Sequence, residues 1–203
     1  MRTLGAVKEY YDARAPEYDD WYLGRGRFER RERPGWRDEL DRLVAVIETL
    51  PPKRTVDVAC GTGFLTRHVR GYVVGVDQSP RMLEEAHRQA PNATFLLGDA
   101  FALPFPDACF ERVLTGHFYG HLDVEQRGAF LAEARRVATE IVVVDASRGG
   151  SDVDEDVQER ILNDGSRWEV YKRWFTGEGL ADELGGGEVL HEGRWFVVVR
   201  ATP

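Results

Sequence analysis

At 203 residues and 42% hydrophobic composition, the chain suits one compact domain whose core needs no disulfide or metal staple. A formal net charge of −8 opposes nucleic-acid phosphates, and glutamates interleave the arginines between Arg25 and Arg37, so no nucleic-acid partner is expected. Cys60 and Cys109 lack C-x-x-C or histidine-paired spacing, the N-terminus lacks an apolar signal core, and no stretch approaches the roughly 18 apolar residues that span a bilayer. No metal and no membrane partner are expected, and a reducing, cytoplasmic setting is.

In chain order, residues 4–21 form an expected amphipathic helix with Leu4, Val7, Tyr11 and Tyr18 on one face, interrupted by Pro16 after Ala15. A glycine- and arginine-rich loop at 23–35 precedes a helix near 36–50, which Pro51-Pro52 closes. A first strand from Arg54 is followed by helices near 63–70, 80–90 and 123–138, alternating with strands near 72–77, 93–97, 110–115 and 140–145. That alternation argues for an α/β fold, a parallel sheet with helices on both faces and ligands at the strands' carboxyl ends. Next comes an acidic, serine- and glycine-rich run, Ser147 to Glu159. An inserted alternating stretch follows, placing Trp168, Val170, Lys172 and Trp174 on one face. A short helix at 176–184 and a closing hairpin over Gly187–Arg200 complete the chain.

The most informative segment is Thr55-Val56-Asp57-Val58-Ala59-Cys60-Gly61-Thr62-Gly63. A β-branched run ending in two glycines reads as a buried strand entering a tight turn, where positive φ and a missing Cβ let a flat ligand approach the main chain. The next strand ends in Asp77, about 20 residues after Asp57, the spacing at which an acid meets ribose hydroxyls. A dinucleotide loop needs glycine or alanine at the third position, where this chain carries Thr66, and that departure disfavours NAD.

With Gly98-Asp99-Ala100 after the third strand, the D-x-x-C-G-T-G loop and the strand-two acid resemble the class I S-adenosylmethionine-dependent methyltransferases over roughly residues 7–200. The resemblance implies a Rossmann-like, doubly wound, seven-stranded, mostly parallel sheet with an antiparallel C-terminal hairpin. It implies a single domain: a helical N-terminal cover (1–50), a cofactor-binding core (51–146), an acceptor-side insertion (147–175) and a terminal helix and hairpin (176–203). The implied cofactor is S-adenosylmethionine, leaving as S-adenosylhomocysteine. Asp57, Ala59, Gly61 and Gly63 would face its methionine end and Asp77 its ribose. Gln78 and Met82 would flank the adenine, Asp99 and Ala100 would meet its edge, and Thr115 and Gly116 would lie beside the sulfur. The segment Tyr11-x-x-x-Ala15-x-x-Tyr18-Asp19 resembles the family's cover, so Tyr11 and Tyr18 join the cofactor site.

Methyl transfer from a sulfonium demands alignment and, for a hydroxyl or amine acceptor, a route for one proton. The fourth strand ends in Thr115-Gly116-His117-Phe118-Tyr119-Gly120-His121, which makes His117 the base candidate, with Tyr119 beside it and His121 near the acceptor. The His117-x-x-x-His121 pair lacks a third ligand, so metal dependence is not expected. The Tyr10–Asp19 segment, this loop and Arg160-x-Leu162-x-Asp164-Gly165…Lys172 further resemble a bacterial phosphonate O-methyltransferase of antibiotic biosynthesis. That implies an anionic acceptor facing Arg160 and Lys172, with Tyr22 and His121 nearby, although Gly24-Arg25-Gly26 departs from the pattern where a tyrosine is expected. The expected function is methyl transfer to a small-molecule acceptor, O-methylation in secondary metabolism, by a monomer or homodimer. The alternative is a non-catalytic, regulatory S-adenosylmethionine-binding protein.

Overall fold

The computed structural model describes residues 4–202, with side chains from Lys8 onward, so the expected core-facing side chains of Leu4 and Val7 lie outside the described residues. Helix α1 covers Leu4–Arg14, and Pro16 turns the chain through a single 3-10 turn at Ala15–Glu17. Helix α2 (Asp20–Leu23) ends at Gly24, whose φ of +65° gives the left-handed cap. In α3 (Trp36–Thr49), Trp36, Leu40, Leu43 and Ile47 are buried, a helical stripe facing the sheet.

The strands are β1 (Thr55–Val58), β2 (Val73–Asp77), β3 (Thr94–Leu97), β4 (Arg112–Gly116), β5 (Ile141–Ala146), β8 (Glu188–Glu192) and β9 (Phe196–Ala201) of one seven-stranded sheet ordered β3-β2-β1-β4-β5-β9-β8. β1 to β5 pair in parallel, whereas β9 runs antiparallel to both β5 and β8. Strand alternation divides the core. Leu114, Val142, Val144 and Val198 meet α3 and the N-terminal segment, while Val113, Val143, Val197 and Val199 meet α5 (Val124–Val137) and α6 (Gly177–Glu183) on the other face. Helix α4 (Pro80–Gln89) starts at Ser79, whose hydroxyl accepts the Met82 N–H at 3.1 Å, with Pro80 at the first position.

One expectation is corrected. No α-helix spans 63–70; a 3-10 turn at Thr66–His68 takes its place. After it the backbone at Gly71 packs on the segment before β1, where a Cβ would meet the Lys53 carbonyl oxygen at 2.3 Å. Within the acidic stretch and beyond it, β6 (Glu155–Ile161) pairs antiparallel with β7 (Arg167–Arg173) as a separate two-stranded sheet, supported by a Glu159–Arg167 ion pair at 2.7 Å.

Candidate functional site

The carboxyl ends of β1, β2 and β4 lie side by side at the centre of the sheet. Asp57 is buried there, with the Thr66 hydroxyl donating to Oδ2 at 2.6 Å, and burial pushes its carboxyl up to about 7. Beyond β1, Ala59, Gly61 and Gly63 take φ of +55°, +55° and +74°. A Cβ at Gly63 would press on Ala86 Cα at 3.2 Å, whereas one at Gly61 would point into open space, with the Tyr18 ring the first contact at 3.8 Å. Asp77 accepts the Gly61 N–H through Oδ2 and the Ser79 N–H through Oδ1, both at 2.9 Å, and burial pushes it up to about 6. Each carboxylate oxygen therefore keeps a lone pair for a ligand hydroxyl. A small cavity of about 10 Å³ opens beside this loop, lined by Tyr18, Tyr22, Asp57, Ala59, Phe64 and Gly116 among others.

Around it, Gln78 is half-buried and Met82 fully buried. Asp99 is exposed, its Oδ1 accepting the Phe101 N–H at 2.9 Å, and Ala100 packs on the core. Thr115 is buried, its hydroxyl donating to the Val58 carbonyl at 2.8 Å and bracing β4 on β1. Tyr11 is half-buried against Tyr10, with ring centroids 4.9 Å apart, and burial raises its hydroxyl above the ordinary range.

The loop after β4 begins with His117 at φ +55°. Its ring sits among Trp21, Tyr22 and Phe196 at 4.9, 5.6 and 5.6 Å, burial pushes the imidazole down to about 3, and its Nε2 is buried without a hydrogen-bond partner. The ring is thus neutral at physiological pH. Tyr119 lies on the opposite face of the sheet, against Phe130 and Phe175, with its hydroxyl donating to Glu183 at 3.3 Å. His121 donates from Nδ1 to the Tyr171 carbonyl at 2.6 Å. Lys172 is buried in an ion pair with Asp145, so its ammonium is committed inside the protein. Among the described residues, no group of three or more His, Cys, Asp or Glu side chains can hold a metal ion, and no helix is long and apolar enough to cross a membrane.

Residues 55–140 match the methyltransferase domain family. The complex of DhpI with SAH superposes with a TM-score of 0.70 and 25% identity, covering 98% of this chain and 97% of that one. Residues 55–140 thus form a methyltransferase domain, and the chain as a whole shares its fold with a methyltransferase bound to S-adenosylhomocysteine. Demethylmenaquinone methyltransferases are similar: that of Thermotoga maritima is 33% identical over 47% of this chain and 43% of its own length, and that of Renibacterium salmoninarum 35% over 64% and 53%. The chain spans about half the length of the curated relatives it matches.

On the methyltransferase fold, the N-terminal segment covers the glycine loop through contacts that sequence patterns did not single out. Asp19 accepts the Thr62 hydroxyl at 2.6 Å and the Gln89 amide at 2.5 Å, and Asp12 accepts the Ser79 hydroxyl at 2.5 Å. Asp19 closes the Tyr11-x-x-x-Ala15-x-x-Tyr18-Asp19 cover motif, whereas Asp12 carries no motif of its own. A second cavity, about 260 Å³ and open to solvent, lies between this cover and β6, and Glu17 and Glu159 also line it. Arg14, Arg27, Arg31 and Arg160 line it, and among the described residues none of the four forms an ion pair. Burial and then the neighbouring Arg14 lower the Arg160 pKa, and Arg160 Nε is buried without a partner. Arg14 stands 4.8 Å over the Tyr18 ring, so this contact separates the two cavities.

Proposed function

We propose that this chain transfers a methyl group from S-adenosylmethionine to an anionic small-molecule acceptor, as an O-methylation in secondary metabolism. The observation that carries the reading is Asp77 beside the left-handed Gly61 turn: two carboxylate oxygens with spare lone pairs next to a backbone with no Cβ in the way. These residues fit a ribose, and Asp57, Ala59 and Gly63 would hold the methionine end of the cofactor. When bound, the cofactor supplies an electrophilic methyl on a good leaving group. Tyr18, Tyr22 and Phe64 wall the cavity with aromatic surface that excludes water. His117, neutral and with an unpartnered Nε2, is placed to hydrogen-bond an acceptor's hydroxyl and orient it; burial opposes full protonation of the ring, so a proton it takes must pass on.

The second cavity supports an anionic acceptor, since its four arginines outnumber its two glutamates, Glu17 and Glu159, and leave a net positive lining that favours a bound anion. Arg160 is the acceptor contact in this reading. Lys172, neutralised by Asp145, is not. The two free cysteines without a metal-like arrangement support a reducing, cytoplasmic setting. Calorimetric titration with S-adenosylmethionine, S-adenosylhomocysteine and NAD tests the proposal: tight binding of the first two with none of NAD is expected, and binding of NAD alone would overturn it.

A further inference from the structure

The buried charge pair between β5 and β7 has a larger reach than a single ion pair. Asp145 accepts the Gly120 N–H through Oδ2 at 2.7 Å, and its Oδ1 accepts both the Ala146 N–H at 2.7 Å and the Lys172 ammonium. Gly120 belongs to the loop that His117 begins, and that loop is held again where His121 donates to the Tyr171 carbonyl at 2.6 Å. The fit is close: a Cβ at Gly120 would stand 2.7 Å from the Arg173 carbonyl oxygen, 2.8 Å from Asp145 Oδ1 and 2.9 Å from Lys172 Nζ. One carboxylate therefore fixes the strand-four loop and anchors the β6–β7 hairpin, which is otherwise a sheet of its own. Burial opposes the Asp145 charge, and the Lys172 ammonium together with the His117 and His121 rings outweighs it, holding the carboxyl below the usual carboxylate range. For stability alone such a pair has little advantage over apolar side chains of the same volume.

We propose that Asp145 and Lys172 are positioning residues: their pair locks the hairpin carrying Arg160 onto the loop carrying His117, so that both halves of the acceptor site are set in one register. The catalytic consequence rests on the proposed methyltransferase activity; the positioning itself does not.

The test compares Asp145→Asn, Lys172→Met and the double variant with the wild-type chain, and reads melting temperature, S-adenosylhomocysteine affinity, amide exchange of the hairpin and the ring-proton shifts of His117. Those shifts report position directly, because the ring stands 4.9 Å from Trp21 and 5.6 Å from both Tyr22 and Phe196 and feels their ring currents. Each single variant leaves one buried charge unpaired and should melt roughly 10 °C lower, whereas the double variant should recover most of that loss. The double variant should still show displaced His117 shifts and roughly tenfold faster exchange at 155–173, with S-adenosylhomocysteine affinity within about twofold of wild type. Gly120→Ala, which wedges a methyl into the same clasp without changing charge, should move the same two readouts. Wild-type shifts and exchange in the recovered double variant, or in a folded Gly120→Ala, would overturn the proposal. A wild-type chain that fails to bind S-adenosylhomocysteine would sink the proposed function and leave the shift and exchange results to decide the positioning role.

Discussion

Replacing Asp77 by alanine removes the acceptor most directly tied to cofactor recognition. In the structure each of its oxygens takes one backbone N–H, from Gly61 and Ser79, both at 2.9 Å, leaving a lone pair apiece for two ribose hydroxyls. A hydrogen bond to a charged group contributes about 1.5–3 kcal/mol, so the Kd for S-adenosylhomocysteine should rise roughly 10- to 150-fold at pH 7.5, measured by calorimetry. The Gly61 and Ser79 N–H groups lose their partner as well, which should cost the fold about 1–3 kcal/mol and leave it standing. The pH dependence adds a second signature. Burial raises the Asp77 pKa to about 6, and only the ionised form is acceptor on both oxygens, so wild-type affinity should be full above about pH 7 and weaken as pH falls through about 6, approaching tenfold per unit below it. Asp57, pushed up to about 7, titrates in both proteins, so the difference between the wild-type and Asp77→Ala profiles isolates Asp77. Equal affinity in a folded Asp77→Ala, or a difference profile without an inflection between about pH 5 and 7, would refute the assignment of Asp77 to the ribose.

Gly61→Val forces a β-branched residue to φ +55° at a cost of about 1–2 kcal/mol and fills the space in front of Tyr18, so S-adenosylhomocysteine binding should be abolished; wild-type affinity would place the cofactor elsewhere. His117→Ala should lower kcat by about 10²–10⁴ for a hydroxyl acceptor while leaving S-adenosylhomocysteine affinity nearly intact. Because burial holds the imidazole down to about 3, the rate should show no His117 inflection near neutrality, and an inflection near pH 6.5 lost in the variant would contradict the structure. Arg160→Ala should raise the acceptor KM by roughly 10- to 150-fold with kcat unchanged, and steady-state kinetics showing an unchanged KM would remove the arginine-lined cavity from acceptor binding.

The parts of the fold that sequence made legible are those whose physics is local. Glycines at positive φ, a strand-ending acid and helix stripes each leave a periodic or positional mark within a few residues, and the parallel sheet follows from them, whereas its seven strands and antiparallel close were implied by the family resemblance. Where the mark is not local, the pattern misleads. The charged run Glu155–Ile161 carries no alternation of its own; it is a strand because Arg167–Arg173 lies across it. Glu39 interrupts the apolar stripe of α3 as though it faced water, yet it is buried and accepts the N–H groups of Arg194, Trp195 and Phe196 at 2.8–3.0 Å, anchoring the final hairpin.

The site divides along the same line. Its cofactor half is built from one strand-turn unit and its neighbour, so Asp57, Gly61, Gly63 and Asp77 stand together in sequence almost as they do in space. The proposed acceptor half draws on segments far apart in the chain: Arg14, Arg27 and Arg31 from the cover, Arg160 from β6, His117 from the loop after β4. Lys172 shows what that distance hides. The family resemblance implied that it faces an anionic acceptor, but its partner is Asp145, a carboxylate 27 positions earlier at the end of the apolar run of β5. The Lys172 charge is spent on that carboxylate, and the cations left on the second cavity are the arginines. Substituting Lys172 should therefore register first in stability, and substituting Arg160 first in KM.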